Sequence, residues 1–443
     1  MSRNAFLDVT PRPRPSQFDL NALKVGGNIG LATRALRLGI ANMRSGGIGV
    51  DIVCIGTSLT RGFNDPNNWT TGWVHRLKVA LQNQFNPAGV LGGYGYMRAW
   101  DTVGGIRNDA SFMTTSGAGI SNSTGGTNVT RVRLAQNATA RTNRVIYQFN
   151  GLAADAVASR RDVTSVDLLV FGAAGSTTAD GRVDWQTASA PGLSAGTGGS
   201  FSLDTQTTPL TSQYPDARVR YVVTSGDNLF FQIGNGTTTP GALNDFWTAG
   251  LIAYRGDENT GVRVHNIGFP GGQSTNFNTG DELTGNFTRF CTGAANGATN
   301  AKLYIIELGY NDYRSAAVLA TTQSAINTLL NTLQASPSSP GVIFLIPPMA
   351  ADGAAAWAGA NGLAMQLNAW LYSLAATRQE VAVVDLLGEL GGGYNYTSAG
   401  ANGYLTALQP RGFNESDLIH WSASMQSYVA TGMYNTIMSG LQN

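Results

Sequence analysis

Only three histidines occur in the 443 residues, and a serine made nucleophilic needs one of them as its base. His420 stands in SDLIHWS with Asp417 three positions upstream. On a turn, that spacing lets a carboxylate reach Nδ1 of the imidazole, which fixes the tautomer and leaves Nε2 facing a hydroxyl. By itself an Asp-x-x-His pair is common by chance. His75 falls in an amphipathic stretch beside basic residues and reads as a surface or boundary residue. His265 falls inside a strand-like run and reads as packed or hydrogen-bonded. A hydroxyl to match His420 is found in VCIGTSLTRG, residues 53–62, where an apolar run ends on Gly56, Thr57 and Ser58. Gly, Thr and Ser also make ordinary turns, so Ser58 is a candidate nucleophile only in company.

Two further stretches supply that company. HNIGFPGGQS (265–274) runs a strand into a glycine-rich turn, where a backbone N–H can approach a ligand unobstructed. IIELGYNDY (305–313) ends another strand on Gly309 and Asn311. An Asn side-chain N–H at such an edge can donate to a developing oxyanion, an interaction worth ~3–4 kcal/mol in the transition state. All four stretches fall at the C-terminal ends of strands or just before the last helix, the rim where open α/β sheets place their sites.

Those positions require a parallel sheet to hold them. DIVCI (51–55), VRVHNI (262–267), KLYIIEL (302–308), VIFLI (342–346) and VAVVDL (381–386) read as its buried strands. Helices are expected over WVHRLKVALQNQF (73–85), near 316–334 and 361–377, and from about 422 to 439. The rhythm is interrupted from about 104 to 260 by short strands between Gly/Ser/Thr/Asn turns, among them VTRVRL, RVIYQF, SVDLLVF, SFSLD, ARVRYVV, NLFFQI and AGLIAY. That spacing without helices suggests a β-sandwich or jelly roll. The expected organisation is an N-terminal arm at 1–47, α/β domain segments at 48–103 and 261–443, and an inserted β domain at 104–260. Within the arm PRPRP favours polyproline II, and LATRALRLGIANM reads as one short helix.

In these four blocks the chain resembles the SGNH (GDSL-like) hydrolases: GTSLTRG with Ser58, NIGFPGG with Gly271, ELGYND with Asn311, and DLIH with Asp417 and His420, in the family's order. The resemblance implies a three-layer, flavodoxin-like α/β domain with a parallel sheet and a metal-free, cofactor-free serine hydrolase. It casts Ser58 as nucleophile, His420 as general base and acid, and Asp417 as its orienting partner. The oxyanion hole would be the backbone N–H groups of Ser58 and Gly271 and the side chain of Asn311. Three departures stand out. Thr57 occupies a place where the family usually has Asp. Gly271 and Gly272 compete in the second block, counting from Asn266 favouring Gly271. The insert before the second block is far larger than in minimal members.

Composition narrows the partners. A formal net charge of +1 gives no field to hold nucleic acid or an anionic membrane. No run of 18 apolar residues reads as a membrane span, and MSRNAFLDVTPRPRPS has no apolar core of a Sec signal. Two cysteines, Cys54 and Cys291, are too few for a disulfide framework. Charged residues make up only 12% while Gly reaches 56, a turn-rich, uncharged polar make-up suited to glycan hydroxyls. Trp69, Trp100, Trp185 and the Tyr-Gly run at 93–96 can stack on sugar rings or fill a core. GLSAG (192–196) matches the G-x-S-x-G nucleophile elbow but lacks its strand and helix. The expected function is a serine esterase that removes O-acetyl groups from a polysaccharide. An O-acyltransferase with the same triad and an inactive glycan-binding or structural virion protein are the alternatives. A virion-associated or extracellular location is favoured over a cytoplasmic one, with the N-terminal arm serving homo-oligomer or virion assembly.

Overall fold

The computed structural model describes residues 25–62, 71–90, 92–93, 95–98, 113–116, 120–122, 132–134, 143–148, 165–171, 182–188, 199–202, 217–222, 230–235, 246–254, 260–278, 301–314, 318–335, 339–348, 356–390 and 419–442. The apolar runs form a six-stranded sheet from β1 (Val25–Gly27), β2 (Val50–Gly56), β14 (Val262–Gly268), β15 (Ala301–Glu307), β16 (Gly341–Ile346) and β17 (Val381–Asp385), in the order β1-β17-β16-β15-β2-β14. The five long strands run parallel, and only the short edge strand β1 is antiparallel, so the sheet is mixed. Every residue of β2, β16 and β17 is buried, as expected of parallel strands covered on both faces.

Helices cover the sheet as two groups: α1 (Ile29–Ala32), α2 (Arg34–Arg44), α4 (Trp73–Phe85) and α9 (Ala423–Gln442) pack with one another, and α5 (Tyr310–Arg314), α6 (Leu319–Gln334) and α7 (Ala356–Thr377) form the second. The short α3 (Ser58–Arg61) and α8 (Leu386–Glu389) directly follow β2 and β17. Helix α4 buries Trp73, Leu77, Leu81 and Phe85, a stripe with a four-residue repeat. Gln426 of α9 accepts the Trp73 N–H at 2.9 Å, which satisfies one otherwise unpaired amide at the start of α4.

Residues 25–47, read from sequence as part of an arm, are built into this domain. Val25–Gly27 pairs with β17, and Ala32, Leu36, Ile40 and Met43 lie in the core. The single helix expected there is two. Asn28 caps the first through Leu31 N–H, and Thr33 ends it by turning its hydroxyl onto the Ile29 carbonyl.

Between β2 and β14 in sequence lie β3 (Gly95–Arg98), β4 (Met113–Ser116), β5 (Ile120–Asn122), β6 (Val132–Leu134), β7 (Arg144–Gln148), β8 (Ser165–Phe171), β9 (Arg182–Ala188), β10 (Gly199–Ser202), β11 (Ala217–Val222), β12 (Phe230–Asn235) and β13 (Phe246–Tyr254). They pair antiparallel in two sheets, β10-β9-β12-β7-β4 and β11-β8-β13-β6-β5, with β3 on β13. Val145, Val166, Leu168, Ile233 and Leu251 from these sheets belong to the same contiguous core as Ile52 and Ile305. A buried polar group crosses the join. Arg263 of β14 binds the Asp51 carboxylate of β2 through both Nε and Nη2 and lies 5.9 Å from the centre of the Tyr254 ring. The Tyr254 hydroxyl in turn donates to Asp167 of β8 at 2.8 Å. Burial pushes the Asp51 carboxyl up, but the charge of Arg263 and the hydrogen bond and charge of His265 outweigh it and hold Asp51 well below the usual carboxylate range.

Candidate active site

Strand order places three of the four blocks side by side. β2 lies between β15 and β14, and Gly56 is level with both Glu307 and Gly268. The chain leaves β2 at Thr57, whose extended backbone and hydroxyl cap α3 by accepting the Leu59 N–H at 3.2 Å. Ser58 is therefore the first residue of a short helix, buried but for 5% of its surface. Its Oγ lies 3.0 Å from Nε2 of His420, which is 362 positions away and immediately precedes α9. With Nε2 unprotonated, the serine hydroxyl donates to it, the pairing that general-base activation requires. The Tyr310 hydroxyl donates to the Ile419 carbonyl at 3.2 Å, which ties down the residue before the histidine, and Trp421 after it is buried.

The second block leaves β14 through a turn that discriminates between its two glycines. Gly272 N–H donates to the Phe269 carbonyl at 2.9 Å and is thereby occupied. Gly271, exposed and at φ 76°, a left-handed value that favours glycine, donates its N–H to none of the described residues. The turn is tied to the first block: Phe269 N–H donates to Gly56 O at 2.7 Å, and Asn266 donates to Thr60 O while accepting the Gly268 N–H. Asn311 donates one side-chain N–H to the Gly272 carbonyl at 3.0 Å and keeps the other available. The Ser58 N–H likewise meets no acceptor among the described residues.

The six residues from Glu307 to Asp312 hold all the other blocks in place. Glu307 Oε2 accepts from the Thr57 N–H and hydroxyl, both at 2.8 Å, and from the Thr60 hydroxyl at 3.0 Å. Its Oε1 has no hydrogen-bond partner among the described residues. Burial pushes this carboxyl up to about 7 against the lowering effect of those donors. Asp312 accepts from the Ser274 N–H and hydroxyl and from the Thr322 hydroxyl, and so anchors the second-block turn to α6. Burial raises its pKa as well. One strand exit thus reaches the Ser58 turn through Glu307, the His420 segment through Tyr310 and the glycine turn through Asn311 and Asp312.

The residues anticipated from sequence fare as follows. Ser58 and His420 are within hydrogen-bond distance, and Asn311 touches the Gly271–Gly272 turn. Asp417 lies outside the described residues, as do Trp69, Trp100, Cys291 and the GLSAG stretch. His265 is buried with Nε2 2.9 Å from Asp51, far in role from any nucleophile, and Cys54 is buried and its thiol pushed up by burial. No sequence pattern marks Tyr310 or Asp312, which follow Glu307 at the exit of β15. Among the described residues no group of three His, Cys, Asp or Glu is arranged to hold a metal ion, and no helix is long and apolar enough to cross a membrane.

Residues 226–426 match the family described as GDSL-like Lipase/Acylhydrolase, a stretch that includes Gly271, Asn311, Asp417 and His420 and starts after Ser58. No curated protein matches the chain. A solved structure of a peptidoglycan O-acetylesterase superposes with a TM-score of 0.58 at 15% identity, covering 96% of this chain and 99% of that one. Its likeness therefore extends through the added sheets as well as the α/β domain. An esterase from Pseudoalteromonas sp. (14% identity, 42% of this chain and 82% of that one, TM-score 0.28) and a carbohydrate acetylesterase from Sinorhizobium meliloti (16%, 40% and 79%, 0.28) match a smaller part. The chain thus has a mixed-sheet α/β fold like that of the O-acetylesterase, and its stretch 226–426 is similar to the GDSL-like family.

Proposed function

We propose that this chain is a serine esterase that removes O-acetyl groups from a polysaccharide. The observation that carries the reading is the 3.0 Å contact between Ser58 Oγ and His420 Nε2 at the rim of a parallel sheet. Ser58 Oγ attacks the ester carbonyl carbon as its proton passes to His420 Nε2. The oxyanion accepts hydrogen bonds from the Ser58 N–H, the Gly271 N–H and the open Asn311 N–H, the three donors that no described residue occupies. The C–O bond to the sugar then breaks, and His420 returns the proton to the departing sugar oxygen. Water attacks the acetyl-Ser58 ester with His420 again as base, releasing acetate and restoring the hydroxyl. Asp417, three residues before His420, is assigned the orienting role at Nδ1.

The glycan part of the reading draws on the uncharged polar composition and on the added sheets, a plan shared over nearly the whole chain with a peptidoglycan O-acetylesterase. O-acetylated peptidoglycan is accordingly the first glycan to test. Acetate release should be measured on a panel of O-acetylated polysaccharides, peptidoglycan among them, and on chromogenic acetyl and butyryl esters. The wild type should release acetate, and Ser58→Ala should lower kcat about 10,000-fold. A wild type inert on every ester, or an active Ser58→Ala, overturns the assignment. Acetyl recovered on an added sugar instead of as free acetate converts it to a transferase.

A further inference from the structure

We infer that Glu307 is a positioning residue which, through Thr57 and Thr60, leaves the Ser58 N–H as the open amide at the start of α3. This rests on the esterase reading for its catalytic meaning, but the geometry stands without it. A helix start exposes several unpaired N–H groups, and any of them can point at an anion. Here they are assigned one by one. Thr57 N–H goes to Glu307 Oε2 and Leu59 N–H to Thr57 Oγ1. Arg61 N–H closes onto the Thr57 carbonyl. The Ser58 amide between them has no described acceptor.

The Thr57 hydroxyl is what makes Glu307 necessary. It gives its proton to Glu307 at 2.8 Å and accepts the Leu59 N–H on a lone pair at 3.2 Å. Without an acceptor at 307 the hydroxyl is free to rotate and the cap is lost. The Thr60 hydroxyl, 3.0 Å from the same oxygen, ties the other side of Ser58. Glu307 hydrogen-bonds to Thr57 and Thr60, on either side of Ser58, and so acts on the reaction through the turn it holds. Asp at position 57, usual in the resembling family, offers no proton for this purpose when ionised, and Thr does.

The test compares wild type with Glu307→Gln, Glu307→Ala and Thr57→Val. Steady-state turnover of a chromogenic acetyl ester is measured per active site titrated with a fluorophosphonate. Amide hydrogen exchange across residues 57–61 is followed in the same proteins. Gln keeps one acceptor oxygen and should cost less than tenfold in kcat. Ala and Thr57→Val should lower kcat about 100-fold with KM within threefold, the loss typical of a small displacement of reacting groups. They should also speed exchange at Leu59 and Thr60 by tenfold or more, which Gln largely prevents. Unchanged exchange in Glu307→Ala overturns the inference even if the wild type proves inert on esters. Unchanged kcat per titrated site with only a lower melting temperature also overturns it. Should Glu307→Ala not fold, Thr57→Val and Glu307→Gln decide by the same two readouts. Failure of the esterase reading would show instead as an inert wild type whose variants still differ in exchange.

Discussion

At Glu307 a carboxyl group sits away from water with one oxygen crowded by three donors and the other meeting none among the described residues. The consequence for stability has a definite sign. Its folded pKa is raised to about 7 from an unfolded value of 4.5, so the folded state favours the protonated form. Below the unfolded value both states are protonated and no penalty applies. As pH rises from there through about 7, ionising the buried group costs folding free energy, on the order of 3 kcal/mol in all. Denaturant titrations between pH 4 and 8 should therefore show the wild type losing stability relative to Glu307→Gln across that window. Parallel curves for the two proteins would refute the raised pKa.

At the scale of elements, close backbone approach limits what sequence can change. A Cβ added at Gly341, the first residue of β16, would stand 1.6 Å from the Ala32 carbonyl at the end of α1. Gly341→Ala must push helix and strand apart, and chemical denaturation should show a loss of about 3 kcal/mol or more. A loss under 1 kcal/mol would mean that α1 yields freely. Elements with a repeating apolar pattern were legible in the sequence: α4 spans the residues read as a helix, and β2 contains DIVCI. Strand β1 was not, because Val-Gly-Gly carries no alternation and pairs only because β17 offers an edge. Strand β9, Arg-Val-Asp-Trp-Gln-Thr-Ala, was also passed over, its polar residues masking it. Ser58, Gly271, Asn311 and His420 were legible as strand or helix boundaries. The bond between Glu307 and Thr57 was not, since 250 positions separate them and only the strand order β15-β2-β14 brings them together.

For the whole molecule, the added sheets are joined to the α/β domain through a shared core and the buried Arg263. Arg263 serves Asp51 on one side and lies against Tyr254, itself bonded to Asp167, on the other. Replacing Arg263 with Met leaves the Asp51 charge buried without its guanidinium partner, which should cost about 3–5 kcal/mol. Pairing Arg263→Met with Asp51→Leu should recover most of that loss, because no charge is then stranded. If the double variant is no better than the single one by denaturant unfolding, the cation's value lies in packing and not in the ion pair.

The same arrangement dictates the order in which the protein can take shape on the ribosome. Asp51 and Arg263 are partners across adjacent strands, yet 212 positions of chain separate them. At ~5–20 residues per second, translation needs roughly 10–40 s to bridge that interval. Throughout it the strand that leads into Ser58 has neither neighbour, since both β14 and β15 are still to be made. A strand made before the intervening sheets is thus paired only after them, and those sheets have time to form first.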